Sequence, residues 1–173
     1  MEVKQTLSSH SLQVLNRIRH KGLLCDAVLN TDDGGQFQIH KCIMAAYSDY
    51  FEILFTFTIY GKDKHSFLMY DVNKDILERI IEYIYEGHIK LEWDNAREVF
   101  TAAEQYLMEG LVLDCLIFFE LELNIQNCLI IREFTKTYQY PKFEELIEDY
   151  LLKNFVDIAT KTAQIMDLTF FEN

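Results

Sequence analysis

The segment CDAVLNTDDGGQFQIHK, residues 25–41, constrains the fold more than any other stretch of the chain. CDAVLNT and QFQIHK each read as a short strand, and the DDGG between them is a strong hairpin turn. A lone two-stranded hairpin is at best marginally stable in water, so other elements must cover it. HSFLMYDV, residues 65–72, reads as a third strand. Nearly everything else follows a helical period, which predicts an α+β domain of short strands wrapped by helices.

The helices are read from stripe and punctuation. In residues 8–20, SSHSLQVLNRIRH, Leu12, Leu15 and Ile18 fall with Val14 on one stripe, and Gly22 follows as a stop. A helix this close to a terminus frays unless its stripe is covered, by the rest of the domain or by a second copy. Ile43–Phe55 is helical by its Met44, Tyr47, Phe51, Leu54 and Phe55 spacing, with a break at Ser48 and that serine capping the second half. Tyr50, Phe51, Leu54 and Phe55 are expected in the core. Phe57, Ile59 and Tyr60 come after that helix should end, and three large apolar side chains there predict an exposed patch.

NKDILERIIEYIYEG is the clearest helix, with Asn73 as N-cap, Ile76, Ile80, Ile81 and Ile84 buried, and Gly87 as its end. HIKL is a short extended link. NAREVFTAAEQYLMEG turns Val99, Ala102, Ala103 and Tyr106 inward, and LVLDCLIFFELEL, apolar on almost every face, is expected to be deeply packed. From Ile125 on the pattern is purely helical: NCLIIREFTKTYQY, a break at Pro141, KFEELIEDYLLKNF, and a last helix trailing off in DLTFFEN.

Composition removes several classes of function. A net charge of −12, with scattered Lys and Arg, argues against nucleic acid, whose phosphates need clustered cations. No apolar run approaches the roughly 20 residues of a membrane helix. The opening MEVKQTLSSHSLQ has no apolar signal core, so the expected setting is the cytoplasm or the nucleus. Cys25, Cys42, Cys115 and Cys128 lie far apart and are expected to be reduced core thiols rather than metal ligands. No phosphate loop, HExxH or GxSxG is present, so no catalytic, cofactor or metal residue is assigned and an enzyme is not expected. Asp26, inside an otherwise apolar strand, needs a partner; His40 and Lys41 are the candidates, and Asp26 with His40 is read as a structural polar pair.

Three stretches taken together resemble a known family: LNRIRHKGLLCDAVL with FQIHKCIMAAYSDYFEILF, then VNKDILERIIEYIYEGHIKL, then NAREVFTAAEQYLMEGLVLDC. They look like a BTB/POZ domain of the Kelch-like type, over residues 8–124. NCLIIREFTKTYQYPKFEELIEDYLLKNF resembles the 3-box that opens a BACK domain, over residues 125–173. The resemblance implies a homodimer through the helix of Leu12, Val14, Leu15 and Ile18. It also implies binding to the N-terminal domain of cullin-3, as substrate adaptor of a ubiquitin ligase. Kelch repeats, absent from these residues, would hold the unknown substrate, so the chain is expected to be a fragment or a naturally short relative.

Carried over by position, the cullin-3 contacts fall on Ile59 and Tyr60, on Asn73, on Gln105 and Leu107, and on Leu152 of the 3-box. Where the family favours a glutamate two residues after the hydrophobic one, this chain has Gly61. That change removes a charged hydrogen-bonding group worth on the order of 1–3 kcal/mol, and leaves burial of Ile59 to carry the contact. Two other readings stay open. One is a transcriptional BTB module whose dimer groove takes corepressor peptides, with Asp26 and His40 as pocket residues. The other is a bare BTB-BACK protein of viral type that competes for cullin-3.

Overall fold

The computed structural model describes residues 7–56 and 64–160. The chain divides into two compact units, Met1–Cys115 and Leu116–Asn173. The first holds α1 (Leu7–Arg19), β1 (Ala27–Thr31), β2 (Gln36–Ile39), α2 (Lys41–Tyr47), α3 (Asp49–Thr56), β3 (Ser66–Met69), α4 (Lys74–Glu86) and α5 (Ala96–Gln105). Helix α6 (Glu109–Leu121) runs through the division, and α7 (Cys128–Lys136) and α8 (Pro141–Lys153) belong to the second unit.

The three strands form one sheet in the order β2-β1-β3. β1 pairs β2 antiparallel, Ala27 opposite Ile39 and Leu29 opposite Phe37, and pairs β3 parallel, Leu29 opposite Phe67. The parallel pair needs a crossover, supplied here by α2 and α3. Alternation along β1 and β3 buries Ala27, Leu29, Thr31, Phe67 and Met69.

The DDGG turn works through both glycines. Gly34 takes φ 91, which a side chain would strain. Gly35 lies so close to α4 that an added Cβ would stand 2.6 Å from the Lys74 Cβ. Asp33 of the same turn accepts from the Lys74 backbone N–H at 3.0 Å, and so caps α4 from outside its own sequence.

Ser48 divides α2 from α3 as the sequence predicts. Its backbone is extended, and its hydroxyl accepts from the Phe51 N–H at 3.2 Å. Asn73 caps α4, accepting from Ile76 N–H at 2.9 Å, and Gly87 closes it in the left-handed conformation. Ile76, Leu77, Ile80, Ile81, Ile84 and Tyr85 of α4, Val99, Phe100 and Ala103 of α5, and Leu111 and Cys115 of α6 are buried. In the second unit, Pro141 occupies the first turn of α8 rather than only ending what precedes it. There Ile131, Thr135, Phe143 and Ile147 are buried, and Arg132 donates to Glu148 at 2.7 Å.

Four expectations about burial are corrected. Tyr50 and Leu54 are half-buried rather than core, because α3 turns Phe51 and Phe55 inward and each of the two stands one position to the side of a buried phenylalanine; Tyr47 of α2 is 40% exposed. Cys42 is exposed at the start of α2 and Cys25 is half-buried; only Cys115 and Cys128 are core thiols. Helix α6 buries Leu111, Val112, Cys115, Leu116 and Phe119, while Leu113, Ile117 and Leu121 face outward at a spacing of four. Asp26 is exposed at the start of β1 rather than buried in it.

Candidate protein-interaction site

The expected Asp26–His40 pair does not form, since the backbone gives each residue a different partner. Asp26 Oδ1 accepts from the Lys41 backbone N–H at 2.7 Å, so its carboxylate caps α2. His40 is buried, with its backbone N–H donating to the Tyr85 hydroxyl at 3.1 Å and Nδ1 2.8 Å from that same hydroxyl. Its Nε2 faces the Leu23 carbonyl at 3.3 Å. A carbonyl only accepts, so Nε2 carries the proton and Nδ1 accepts the tyrosine hydroxyl proton. His40 is therefore a strut inside the domain, not the wall of an open pocket.

Helix α1 lies on α4 with a polar inner face. Asn16 and Arg19 are buried; the Asn16 amide donates to Glu82 at 2.6 Å and to Glu86 at 2.7 Å, and Arg19 pairs with Glu82. The Arg19 guanidinium also stands 5.2 Å above the Tyr85 ring. Leu12, Val14, Leu15 and Ile18 remain half-buried, covered only in part by their own chain. The sequence reading missed this network. Its signal was there: Asn16 and Arg19 three apart, facing Glu82 and Glu86 four apart.

Asn73 and Gln105 come together on one surface. Asn73 Nδ2 donates to Glu98 of α5 at 2.7 Å, while Gln105, the last residue of α5, donates to the Tyr70 carbonyl at 3.2 Å. Both side chains thus tie α5 to the link between β3 and α4, where Tyr70 is 61% exposed. Leu107 follows directly. Its N–H donates to Glu104 O at 3.1 Å and the Met108 N–H to Ala103 O at 2.9 Å, which closes α5 in a Schellman turn. Glycine is the usual residue at that left-handed position, yet here a leucine takes φ 53 with its side chain 54% exposed. Leu152, in the second unit, is 74% exposed on α8, followed by exposed Phe155 and Val156. Ile59, Tyr60 and Gly61, with the rest of the patch after α3, lie outside the described residues.

Burial raises the Tyr85, Tyr83 and Cys25 groups above their ordinary values. Burial pushes the Tyr85 hydroxyl up to about 12, and burial with the Asp114 hydrogen bond does the same to Tyr83. Burial also raises the Cys25 thiol, the opposite of what an activated nucleophile needs. Among the described residues, no group of three His, Cys, Asp or Glu is placed to hold a metal, and no helix is long and apolar enough to cross a membrane.

The family model described as BTB/POZ domain matches residues 15–123. The chain belongs to the BTB/POZ family. Among curated proteins, this BTB/POZ chain is similar to Kelch-like protein 9 of Mus musculus, 34% identical over 167 residues, covering 95% of the chain and 27% of that protein. Kelch-like protein 13 of Homo sapiens is 32% identical over 169 residues, covering 95% and 25%. Kelch-like protein 7 of Mus musculus is 25% identical over 155 residues, covering 90% and 26%. The chain thus spans about a quarter of the length of the relatives it matches. The α+β architecture, a small sheet with helices and a helical extension, is that of a BTB domain followed by further helices.

Proposed function

We propose that this chain is a homodimeric protein-interaction module and the substrate adaptor of a cullin-3 ubiquitin ligase. It binds the cullin-3 N-terminal domain through Ile59, Tyr60, Asn73, Gln105 and Leu107 of the BTB domain and Leu152 of the 3-box. The substrate is held by sequence outside these residues, in the cytoplasm. The reading assigns no catalysis to the chain. It places the captured protein near the ligase, and dimerisation adds avidity. Residues 8–124 form the BTB/POZ domain in this reading, and residues 125–173 the 3-box and the start of a BACK domain.

The observation that carries the reading is Leu107. A leucine held left-handed costs about 1–2 kcal/mol, and such strain persists at sites kept for function. Here an apolar side chain is displayed outward two residues after Gln105, which donates to the Tyr70 carbonyl. Replacing Leu107 with Gly relieves the strain and deletes the anchor together. The variant is expected to melt higher than the parent and to bind the cullin-3 N-terminal domain at least about tenfold more weakly in calorimetry. Ile59→Glu should weaken binding comparably without lowering the melting temperature. A parent chain that gives no heat at concentrations on the order of tens of micromolar, while remaining a folded dimer, would end the cullin-3 assignment.

A further inference from the structure

Helix α5 ends against a buried tyrosine whose hydroxyl the fold leaves unused. Tyr106 has no exposed surface, and its ring packs 5.1 Å from the Tyr50 ring and 5.3 Å from the Phe51 ring. Its carbonyl accepts from the Ser48 hydroxyl. Its own hydroxyl, buried with the ring, meets no hydrogen-bond partner among the described residues. A buried tyrosine ordinarily finds one, so the exception calls for a reason.

Asp71 is the acceptor within reach. The Gln105 side chain donates to the Tyr70 carbonyl at 3.2 Å, which ties the link carrying Asp71 to the end of α5 that precedes Tyr106. Burial raises the Tyr106 hydroxyl above its ordinary 10, and the charges of Tyr50 and Asp71 add to the rise, so the phenol stays a donor. Asp71 is exposed and takes φ 58, a left-handed backbone that aspartate tolerates better than most residues. In the free chain a hydrated carboxylate gains little by leaving water for a buried hydroxyl. A protein that covers this surface removes the water in either case, and a charge-assisted bond to Tyr106 then replaces it.

We propose that Tyr106 is a latent donor to Asp71, and that the hydrogen bond between them closes only when the partner docks. The inference rests on the cullin-3 reading above, which puts contacts at Asn73, two residues after Asp71, and at Gln105 and Leu107, on either side of Tyr106 in sequence. Tyr106 itself touches no partner. It is a positioning residue that acts through Asp71, locking the link before α4 against the end of α5 in the bound state. Part of the specificity of the surface is thereby stored in a side chain that is buried while the chain is free.

The test is calorimetry of the 173-residue chain with the cullin-3 N-terminal domain, paired with thermal melting, for Tyr106→Phe, Asp71→Gly and the double variant. Phenylalanine keeps the ring and removes only the unused hydroxyl, so Tyr106→Phe should melt with the parent or above it. Its dissociation constant should nevertheless rise about tenfold. Glycine suits the left-handed backbone at position 71, and Asp71→Gly should also weaken binding. The double variant should bind no more weakly than the weaker single one, because either change deletes the same bond. A Tyr106→Phe chain that binds like the parent would overturn this inference and leave the cullin-3 reading standing. A Tyr106→Phe chain that melts clearly lower would overturn it too, since the hydroxyl would already be paired in the free chain. Losses that add in the double variant would do the same. A parent chain that is a folded dimer yet gives no heat would end the cullin-3 reading and this inference together.

Discussion

At the scale of single residues, the informative positions are those where side chain and backbone disagree. Leu24, Asp71, Leu107 and Gln139 all take positive φ without being glycine. Leu107 in particular could not be singled out for strain from sequence, because a leucine signals no turn; only the backbone shows the conflict. His40 is the converse. The sequence offered it only as a partner for Asp26, whereas its own partner, Tyr85, lies 45 positions away and had no local signal. Replacing Tyr85 with Phe keeps the ring under Arg19 but leaves the buried His40 N–H without its acceptor. The expected cost is about 1–3 kcal/mol of stability in chemical denaturation, with far-ultraviolet dichroism unchanged.

Asp33 gives a prediction in pH. The Lys74 backbone N–H, then the Thr31 hydroxyl, hold its carboxyl below the ordinary 3.8. A folded-state value below the unfolded one means its contribution is present above pH 3.8 and is lost as pH falls further, through the folded value. Asp33→Ala should melt lower than the parent at pH 7, and the difference should close as the pH is taken below 3.8. A difference that stayed constant through that range would mean Asp33 acts through packing, not charge.

Among elements, α1 shows how a periodic stripe can be read while what covers it stays open. The stripe exists, but the face turned to α4 is the polar one, with Asn16 and Arg19 on Glu82 and Glu86. Hydrophobic period reports that a face is covered, not which molecule covers it. In the dimer reading, Leu15→Asp buries an unpaired carboxylate between two copies at a cost of about 3–5 kcal/mol. Light scattering should then show a monomer, with helix content retained because the α1–α4 ion pairs are untouched; an unchanged dimer would reject this helix as the interface. Helix α6 teaches the same point. A helix apolar on both faces reads as deeply packed, yet Leu113, Ile117 and Leu121 are exposed in the single chain.

For the molecule as a whole, the division between Cys115 and Leu116 falls inside α6, ahead of the boundary at 124–125 set by sequence resemblance. α6 contributes Leu111, Val112 and Cys115 to the burial of the first unit. A chain ending at residue 124 keeps α6 whole and is expected to fold, with a cooperative melt. One ending at residue 108 loses those buried residues and should lack a cooperative transition, since each large buried side chain removed costs about 2–5 kcal/mol.

By itself the sequence determined the hairpin and its DDGG turn, the Ser48 break, the Asn73 and Gly87 ends of α4 and the BTB/POZ resemblance. Each of these rests on local chemistry: turn glycines, capping side chains, or the spacing of apolar residues along one element. Only the tertiary structure decided that Asp26 caps α2, that His40 leans on Tyr85, that α1 turns its charged face inward, and that Leu24 and Leu107 are held strained and outward. Those outcomes depend on pairs distant in sequence and on backbone angles that no single side chain specifies, so they become visible only when the elements are packed together.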